Sequence, residues 1–433
     1  MVAPLVSRFV VGLMGVAVVL CAACGRGAGP AVSAHDAAVD AARPDAPASA
    51  IDVAEVTPDR PAAPAQTGNC TTQDLRRLPA KLSETGCVDP QNPRAMAAKT
   101  IPYQVNSPLW SDGALKTRAM LIPAGAKIHV KDCARNVAEC CVPNPDNKAQ
   151  CLPPADDGKW VLPVGTIMLK TFLFPDQRAG PGGLRFVETR LFARLDEQTW
   201  AGYGYQWNEA QTDATLVDEF GVEAAVTVTG ADGAPQTISW LFPSRDECTK
   251  CHLPNLPVGG SVLGLETAQL NRVVAGRNQL DDLEQRGLFD APLARPFKAA
   301  LAAPYPDRPD APAATEPLAL RARSYLHANC AFCHRPEGNA YNMDLRYDVT
   351  AALKNAHVCN EIPAKGRLGV DGANILMPGV PEKSVLLLRM RAAPTDAVNG
   401  NQGRMPPFAS AVIDASAVKL IGDWITSIPK ACP

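Results

Sequence analysis

Apolar residues recur at every second position through much of residues 100–240, the period of a strand with one buried face. Residues 160–174, 186–195, 200–207, 224–229 and 237–242 carry the pattern and are rich in β-branched and aromatic side chains. Turn signals such as Gly180-Pro-Gly-Gly183 and Ala231-Asp-Gly233 separate them. Short strands at this spacing predict an antiparallel β-sandwich or barrel-like domain over 69–243. Further on, the period lengthens to that of a helix in residues 264–272, 278–289, 318–329, 384–391 and 414–428. The expected fold class is α+β and multidomain. A small helical segment over 244–300 follows the β-domain, then a Pro/Ala-rich linker over 301–317 and an all-α domain over 318–433.

The N-terminus has a different pattern. Arg8 precedes an apolar run of about 15 residues ending in Cys21-Ala-Ala-Cys24-Gly25, which is a secretory signal over 1–23 and too short to span a membrane. A cysteine directly after two alanines resembles a bacterial lipoprotein cleavage site, with Cys21 where that pattern carries Leu. Cys24 is then the lipidated first residue, and the expected location is the periplasm, anchored by lipid to the outer membrane. Simple secretion is the alternative. Residues 24–68 are almost wholly Ala, Pro, Asp, Val and Gly, a tether that buries too little to fold.

Forty-two basic against 44 acidic residues, a formal charge of -2, leave no electrostatic footprint for nucleic acid. The 14 cysteines do change the picture. In an exported protein they read first as disulfides. Cys70 with Cys87 and Cys359 with Cys432 are plausible pairs. Cys133, Cys140, Cys141 and Cys151 crowd a Pro-rich stretch with three possible pairings, and zinc is the lesser alternative there.

Four cysteines have another use. They stand in two pentads, Cys248-Thr-Lys-Cys251-His252 and Cys330-Ala-Phe-Cys333-His334. Two cysteines three apart can each bond a vinyl carbon of one haem while the adjacent imidazole meets the iron. Composition alone would produce such a pentad on the order of 0.006 times in this chain, so two are no accident. A redox Cys-x-x-Cys gives the trailing His no purpose, and zinc would require the two pairs to converge. Two covalently bound haem c groups are therefore expected, with Cys248, Cys251, Cys330 and Cys333 as attachment points and His252 and His334 on iron.

Residues 318–329 run as a helix straight into Cys330. Far downstream come Gly403-Arg-Met405-Pro-Pro and a last helical stretch. This order resembles a class I cytochrome c domain, and the resemblance makes His334 the proximal and Met405 the distal ligand. Met343, Met377 and Met390 are the rival methionines. No methionine lies between Cys251 and Pro317, so the first iron takes His129, His327, His357, Met120 or Met168, or stays five-coordinate.

Ile101-Pro-Tyr-Gln-Val-Asn-Ser-Pro-Leu-Trp-Ser-Asp-Gly113, Pro163-Val-Gly-Thr-Ile-Met-Leu-Lys170, Tyr205-Gln-Trp-Asn-Glu-Ala-Gln-Thr-Asp-Ala214 and the strings around both pentads resemble a family of bacterial dihaem c-type cytochromes. The resemblance implies two haems on a β-plus-helical scaffold and no particular substrate. Single-electron transfer with a redox protein partner is the expected function. The alternative is a dihaem enzyme, peroxidase-like or another small-molecule reductase, with an open first haem.

Overall fold

The computed structural model describes residues 68–433, apart from 141, 144–150, 153–156, 177–182, 230–233, 253–261, 306–313, 337, 341, 394–396, 399–400 and 408–409. The signal, the tether, Cys24, the turn signals at 180–182 and 231–233, and the pairing of Cys141 and Cys151 lie outside the described residues. The alternating segments form one antiparallel sheet whose strand order follows chain order: β1 (Ile101–Pro102), β2 (Leu115–Leu121), β3 (Ile167–Pro175), β4 (Leu184–Arg194), β5 (Trp200–Trp207) and β6 (Ala214–Leu216). Each connection joins neighbours, so the sheet is a simple meander.

Alternation gives the sheet two unlike faces. On one, Ala119, Ile167, Leu169, Leu191, Ala193, Tyr203 and Tyr205 meet Leu75 of the short helix α1 (Thr72–Arg76), together with Leu82 and Val88. The Cys70–Cys87 disulfide pins that N-terminal cover. The opposite face carries Met120, Met168 and Phe192 at one end and Phe172 and Phe174 at the other.

The sandwich or barrel expectation is corrected here. The hairpin β7 (Val222–Thr229) and β8 (Pro235–Phe242) pairs only with itself. It covers one end of the second face, where Trp240 meets Phe172 and Phe174 edge-on at 5.4 and 5.7 Å. Helical and irregular chain from beyond β8 covers the rest, so no second full sheet is needed. That chain holds α2 (Arg245–His252), a single turn at Thr267–Leu270 and α3 (Gln279–Gln285).

The all-α expectation for 318–433 is also corrected. Helices α4 (Leu318–Asn329), α5 (Val385–Arg391) and α6 (Ala415–Ser427) are joined by three 3₁₀ turns, a small hairpin (Ala397–Val398 with Asn401–Gln402) and long irregular chain. Pro363, Pro378 and Pro381 cannot sustain a helix there, and Gly366, Gly369, Gly372 and Gly379 sit at positive φ. Leu326, Leu387, Leu420, Trp424 and Ile425 make a local core, and Cys359–Cys432 closes it. By contacts, Ala62–Pro433 is one compact unit.

What unites it is a buried strap, Asn106–Gly113, between β1 and β2. Asn106 Nδ2 donates to the Ala268 and Asn271 carbonyls at 3.0 and 3.2 Å, and Gln269 holds both backbone groups of Ser107. Ser107 Oγ donates to the Ser324 carbonyl at 2.9 Å, and Trp110 N–H donates to Asn329 Oδ1 at 2.8 Å. The Lys116 ammonium donates to the carbonyls of Leu109, Trp110 and Ala114. The strap thus satisfies its own buried backbone while binding sheet, middle segment and α4 together.

Asn329 is 1% exposed, and its amide also donates to the Tyr325 and Pro108 carbonyls. Asn329→Ala should lower stability by about 1–3 kcal/mol, the cost of stranding buried partners. A fall in the urea midpoint at unchanged slope checks it.

Candidate functional site

Helix α2 begins because Ser244 and Glu247 form a reciprocal cap: Glu247 N–H donates to Ser244 Oγ at 3.1 Å, and Ser244 N–H to Glu247 Oε2 at 2.9 Å. Acidic residues in its first turn and Lys250 in its last suit the helix dipole. The helix lies on β5 at Gly202, where an added Cβ would come within 2.5 Å of Cys248 Sγ and 2.9 Å of its Cβ. Only glycine leaves room for this thiol. Across the sheet Phe192 pairs with Gly202, and its ring lies 4.4 Å from the His252 imidazole, centroid to centroid.

The second pentad leaves α4 by one more turn, with Cys330 N–H donating to the Leu326 carbonyl and His334 N–H to the Cys330 carbonyl, both at 2.9 Å. Gly338 returns so close that a Cβ would lie 2.1 Å from the Cys333 carbonyl oxygen. The two pentads, distant in sequence, meet. Asn339 Nδ2 donates to the Lys250 carbonyl at 2.9 Å, and Cys251 and Cys333 lie near enough to affect each other's titration. One cavity is lined by Cys248, Cys251 and His252 from α2, by His327 of α4, and by Ala331 and Phe332 of the second pentad, whose Cys330, Cys333 and His334 are not in that lining.

The convergence does not make a zinc site. Cys248 packs against the core under the sheet face, and Cys330 against the core of the C-terminal helices. Among the described residues the one cluster of three ligand-type side chains is Cys133, Cys140 and Asp157. There the two sulfurs are joined to each other, one of the three pairings open from sequence. Three of the pentad thiols are held protonated, while the contact with Cys251 lowers the fourth, Cys333. Burial raises Cys248 and pushes Cys330 up to about 12, while the Cys333 contact and burial raise Cys251.

The surroundings do suit haem. Burial, with Lys170 and Arg190 nearby, pulls His252 down to about 3, so its imidazole is neutral, the form that ligates iron. Its buried Nδ1 has no hydrogen-bond partner among the described residues. Burial, aided by Arg389, likewise lowers His334. The cavity wall carries Arg118, Lys159, Lys170, Arg190, Arg335 and Arg346 against Glu247 and Glu266. Its remaining lining mixes apolar residues, among them Met168, Phe192, Val262 and Leu265, with Ser107, Gln269 and Asn329. Apolar and cationic side chains together match the two parts of a haem, a flat hydrophobic macrocycle bearing two carboxylates, although Arg190 and Arg346 already meet Glu188 and Asp344.

Met405 is half-buried, and its N–H donates to the Arg389 carbonyl at 3.0 Å. The Arg389 guanidinium donates to Gly403 at 3.2 Å and also acts on His334. The candidates for the first iron separate clearly. His129 is clamped at 2.7 and 2.8 Å between Glu139 and Asp290, outside the cavity lining. His357 is exposed. Met120 is fully buried in the core under the sheet. Met168 lines the cavity, and so does His327, but both His327 nitrogens are engaged. Nδ1 accepts from Tyr347 N–H at 3.0 Å, so the ring proton sits on Nε2 and points at Glu266 Oε1, 2.6 Å away. Burial would raise the Glu266 carboxyl, but His327, with Lys159 and Lys298, holds it down to about 2.

Sequence reasoning missed Gly202, the Glu266–His327 pair and the basic residues on the wall. The cap Ser244-Arg-Asp-Glu247 was a readable signal for α2. The others depend on strand register. No protein-family model, no curated protein and no solved structure matches the chain.

Gly202→Ala should displace α2 and lower stability by about 1–3 kcal/mol through overpacking. Gly422→Ala, where the nearest atom is 3.5 Å away inside α6, should be neutral or stabilising. Parallel urea titrations of the two variants check the contrast.

Proposed function

We propose that the chain is an exported dihaem c-type cytochrome that passes single electrons. Haem c is attached through Cys248 and Cys251 at one site and Cys330 and Cys333 at the other. The observation that supports this reading is the approach of the two pentads, Asn339 donating to the Lys250 carbonyl, beside one cavity lined by Cys248, Cys251 and His252 of the first and Ala331 and Phe332 of the second. Haem iron, when bound, supplies a reversible one-electron couple. His252 and His334 present neutral imidazoles to it, and Met405 serves the second site. The apolar wall keeps water from the attachment points, and a redox protein partner accepts or delivers the electron. No role in nucleic-acid binding follows from the charge balance. Cys24 anchors the chain by lipid to the outer membrane, with the tether as spacer.

One observation favours the enzymatic alternative. Glu266 and His327, hydrogen-bonded on the wall of the same cavity, can exchange a proton with a small molecule held there. An open first iron would then make this a peroxide or small-molecule reductase. Carbon monoxide binding and a high-spin signal separate the readings: electron transfer alone expects neither.

Pyridine haemochrome analysis with intact mass should find two covalent haems per chain, and acid-acetone extraction that strips them overturns the proposal. Adjacent chromophores should also give a two-signed Soret circular dichroism band. Met405→Ala should remove the thioether-to-iron absorption at the red edge of the visible spectrum and lower the potential of one haem only.

The anchor has a separate test. Wild type should partition into detergent, whereas Cys24→Ala should be recovered in the soluble periplasm. A wild type recovered as freely soluble leaves simple secretion.

A further inference from the structure

A neutral imidazole carries one N–H and one lone pair, whereas an ionised carboxylate only accepts. His129 nevertheless meets a carboxylate oxygen at each ring nitrogen. Its Nε2 lies 2.7 Å from Glu139 Oε2, and its Nδ1 lies 2.8 Å from Asp290 Oδ2. Both contacts are hydrogen bonds only when the ring holds two protons. With Asp290 44% exposed, the second proton belongs to the ring and not to a carboxyl, so the arrangement is that of an imidazolium.

The two carboxylates are held differently. Ile128 N–H donates to the Leu288 carbonyl at 2.8 Å and Asp290 N–H to the Ile128 carbonyl at 3.1 Å, beside the short strand His129–Val130. The place of Asp290 is therefore set by backbone and does not depend on the ring. Glu139 sits in the single helical turn Val137–Cys140, which the Cys133–Cys140 disulfide ties back to the start of its own loop. Its other oxygen accepts the Asp132 N–H at 3.3 Å, within the same loop. Cys133 N–H on Asp157 Oδ1 at 3.0 Å and Arg135 on the Pro292 carbonyl at 3.5 Å fasten the loop earlier, and Glu139 on His129 fastens the turn. The loop walls a second cleft, in whose lining no pentad residue takes part.

Other charges stand round the ring. On the loop Asp132 pairs with Arg135 at 3.1 Å. Across the cleft Lys298 pairs with Asp348 at 2.7 Å and lies 3.7 Å from Asp157. Lys131 follows on the ring's own strand, and the strand paired with it, Trp160–Val161, brings no charge. The bond to Glu139 raises His129 above its ordinary 6.5, burial partly opposes this, and Asp290 adds to the rise.

We propose that His129 is a proton-operated latch on the Cys133–Cys140 loop. Protonated, it fastens the loop's turn along the second cleft through Glu139. Deprotonated, it keeps one carboxylate at most, and because Asp290 is fixed by backbone the turn is what lets go. A folded-state value above the unfolded one makes the latch complete below the ordinary value and loses it as pH rises through the raised one. The latch is independent of the dihaem reading.

The test uses the full chain as isolated, from about pH 5 to about pH 9. Deuterium exchange at the imidazole Cε1, read by mass spectrometry on the peptide that holds residue 129, gives the ring's own midpoint. Amide exchange over residues 132–140, corrected for the intrinsic rate, gives the opening of the loop. His129 should titrate above 6.5, and protection of 132–140 should fall about threefold through the same midpoint, the size expected of a half-exposed ion pair. Glu139→Gln should return the ring toward its ordinary value, and both Glu139→Gln and His129→Gln should make the loop's protection independent of pH. Should either variant fail to fold, wild type alone decides. A wild-type midpoint at or below 6.5, or a loop whose protection does not follow the ring's midpoint, overturns the proposal.

Discussion

The meeting of the pentads depends on the strap Asn106–Gly113 and its buried hydrogen bonds. Strand pairing alone holds the meander, and local packing alone holds the C-terminal helices. Neither brings α4 to the sheet. The strap does so through Ser107 to Ser324 and Trp110 to Asn329, the last pair one residue before Cys330. Because Asn106 and Gln269 fix the strap's other end to the segment following α2, one buried polar network orients both pentads. Networks of this kind specify a single arrangement as long as every member is satisfied. The left-handed conformations of Ser111, Asp112 and Gly113 let the chain turn sharply enough to enter β2, and Asp112 then accepts from the Val412 N–H at 2.8 Å.

The second sheet face is a compromise between packing and charge. Its first row, methionines, phenylalanine and glycine, is shaped to receive α2. Its third meets the β7–β8 hairpin through aromatic edges. A sheet designed only for stability would make the middle row apolar as well. Keeping Arg118, Lys170 and Arg190 there, opposite one another on β2, β3 and β4, sacrifices pairing energy, and the Glu188 carboxylate recovers part of it through Arg190. Departures from local rules of this sort concentrate at functional sites, and this row coincides with the cavity of the pentads.

The features legible in the sequence were local ones. The pentads are contiguous, the Cys70–Cys87 and Cys359–Cys432 pairs bracket short or terminal segments, and strands β3, β4 and β5 follow from two-residue alternation. The same alternation says nothing of the cover over Arg118, Lys170 and Arg190. A polar residue between apolar ones signals a solvent face, but here both faces are covered, one by α1 and its neighbours and the other by α2 and the hairpin. The all-α expectation failed because class I cytochrome order was carried from α4, the pentad, Met405 and α6 to everything between them. Residues 360–383 are too rich in proline and left-handed glycine to be helical. Register across long separations, which seats Cys248 on Gly202 and opposes Met168 to Phe192, leaves no mark in a single sequence.

The Glu266–His327 pair bears on the choice between carrier and enzyme. A histidine three residues before Cys330 suggests a ligand for the neighbouring iron, but its Nδ1 is tied to Tyr347 and its Nε2 to Glu266. To bind iron through Nε2 it would have to give up Glu266, leaving a buried carboxylate beside Lys159 and Lys298 without its nearest hydrogen-bond donor. That exchange is costly in a low-dielectric setting. Met168 needs no such exchange, since a thioether is a weak acceptor with little to lose. It already lies on the strand next to Phe192, whose ring meets the His252 imidazole at a tilt of 43°. If Met168 closes the first iron, the Glu–His pair only tunes the local field and the protein is a carrier. If it does not, the same pair stands beside an open coordination position, in a cavity that already excludes much of the solvent. Under the dihaem proposal, whether Met168 of β3 would hold the first iron separates the carrier from the enzyme.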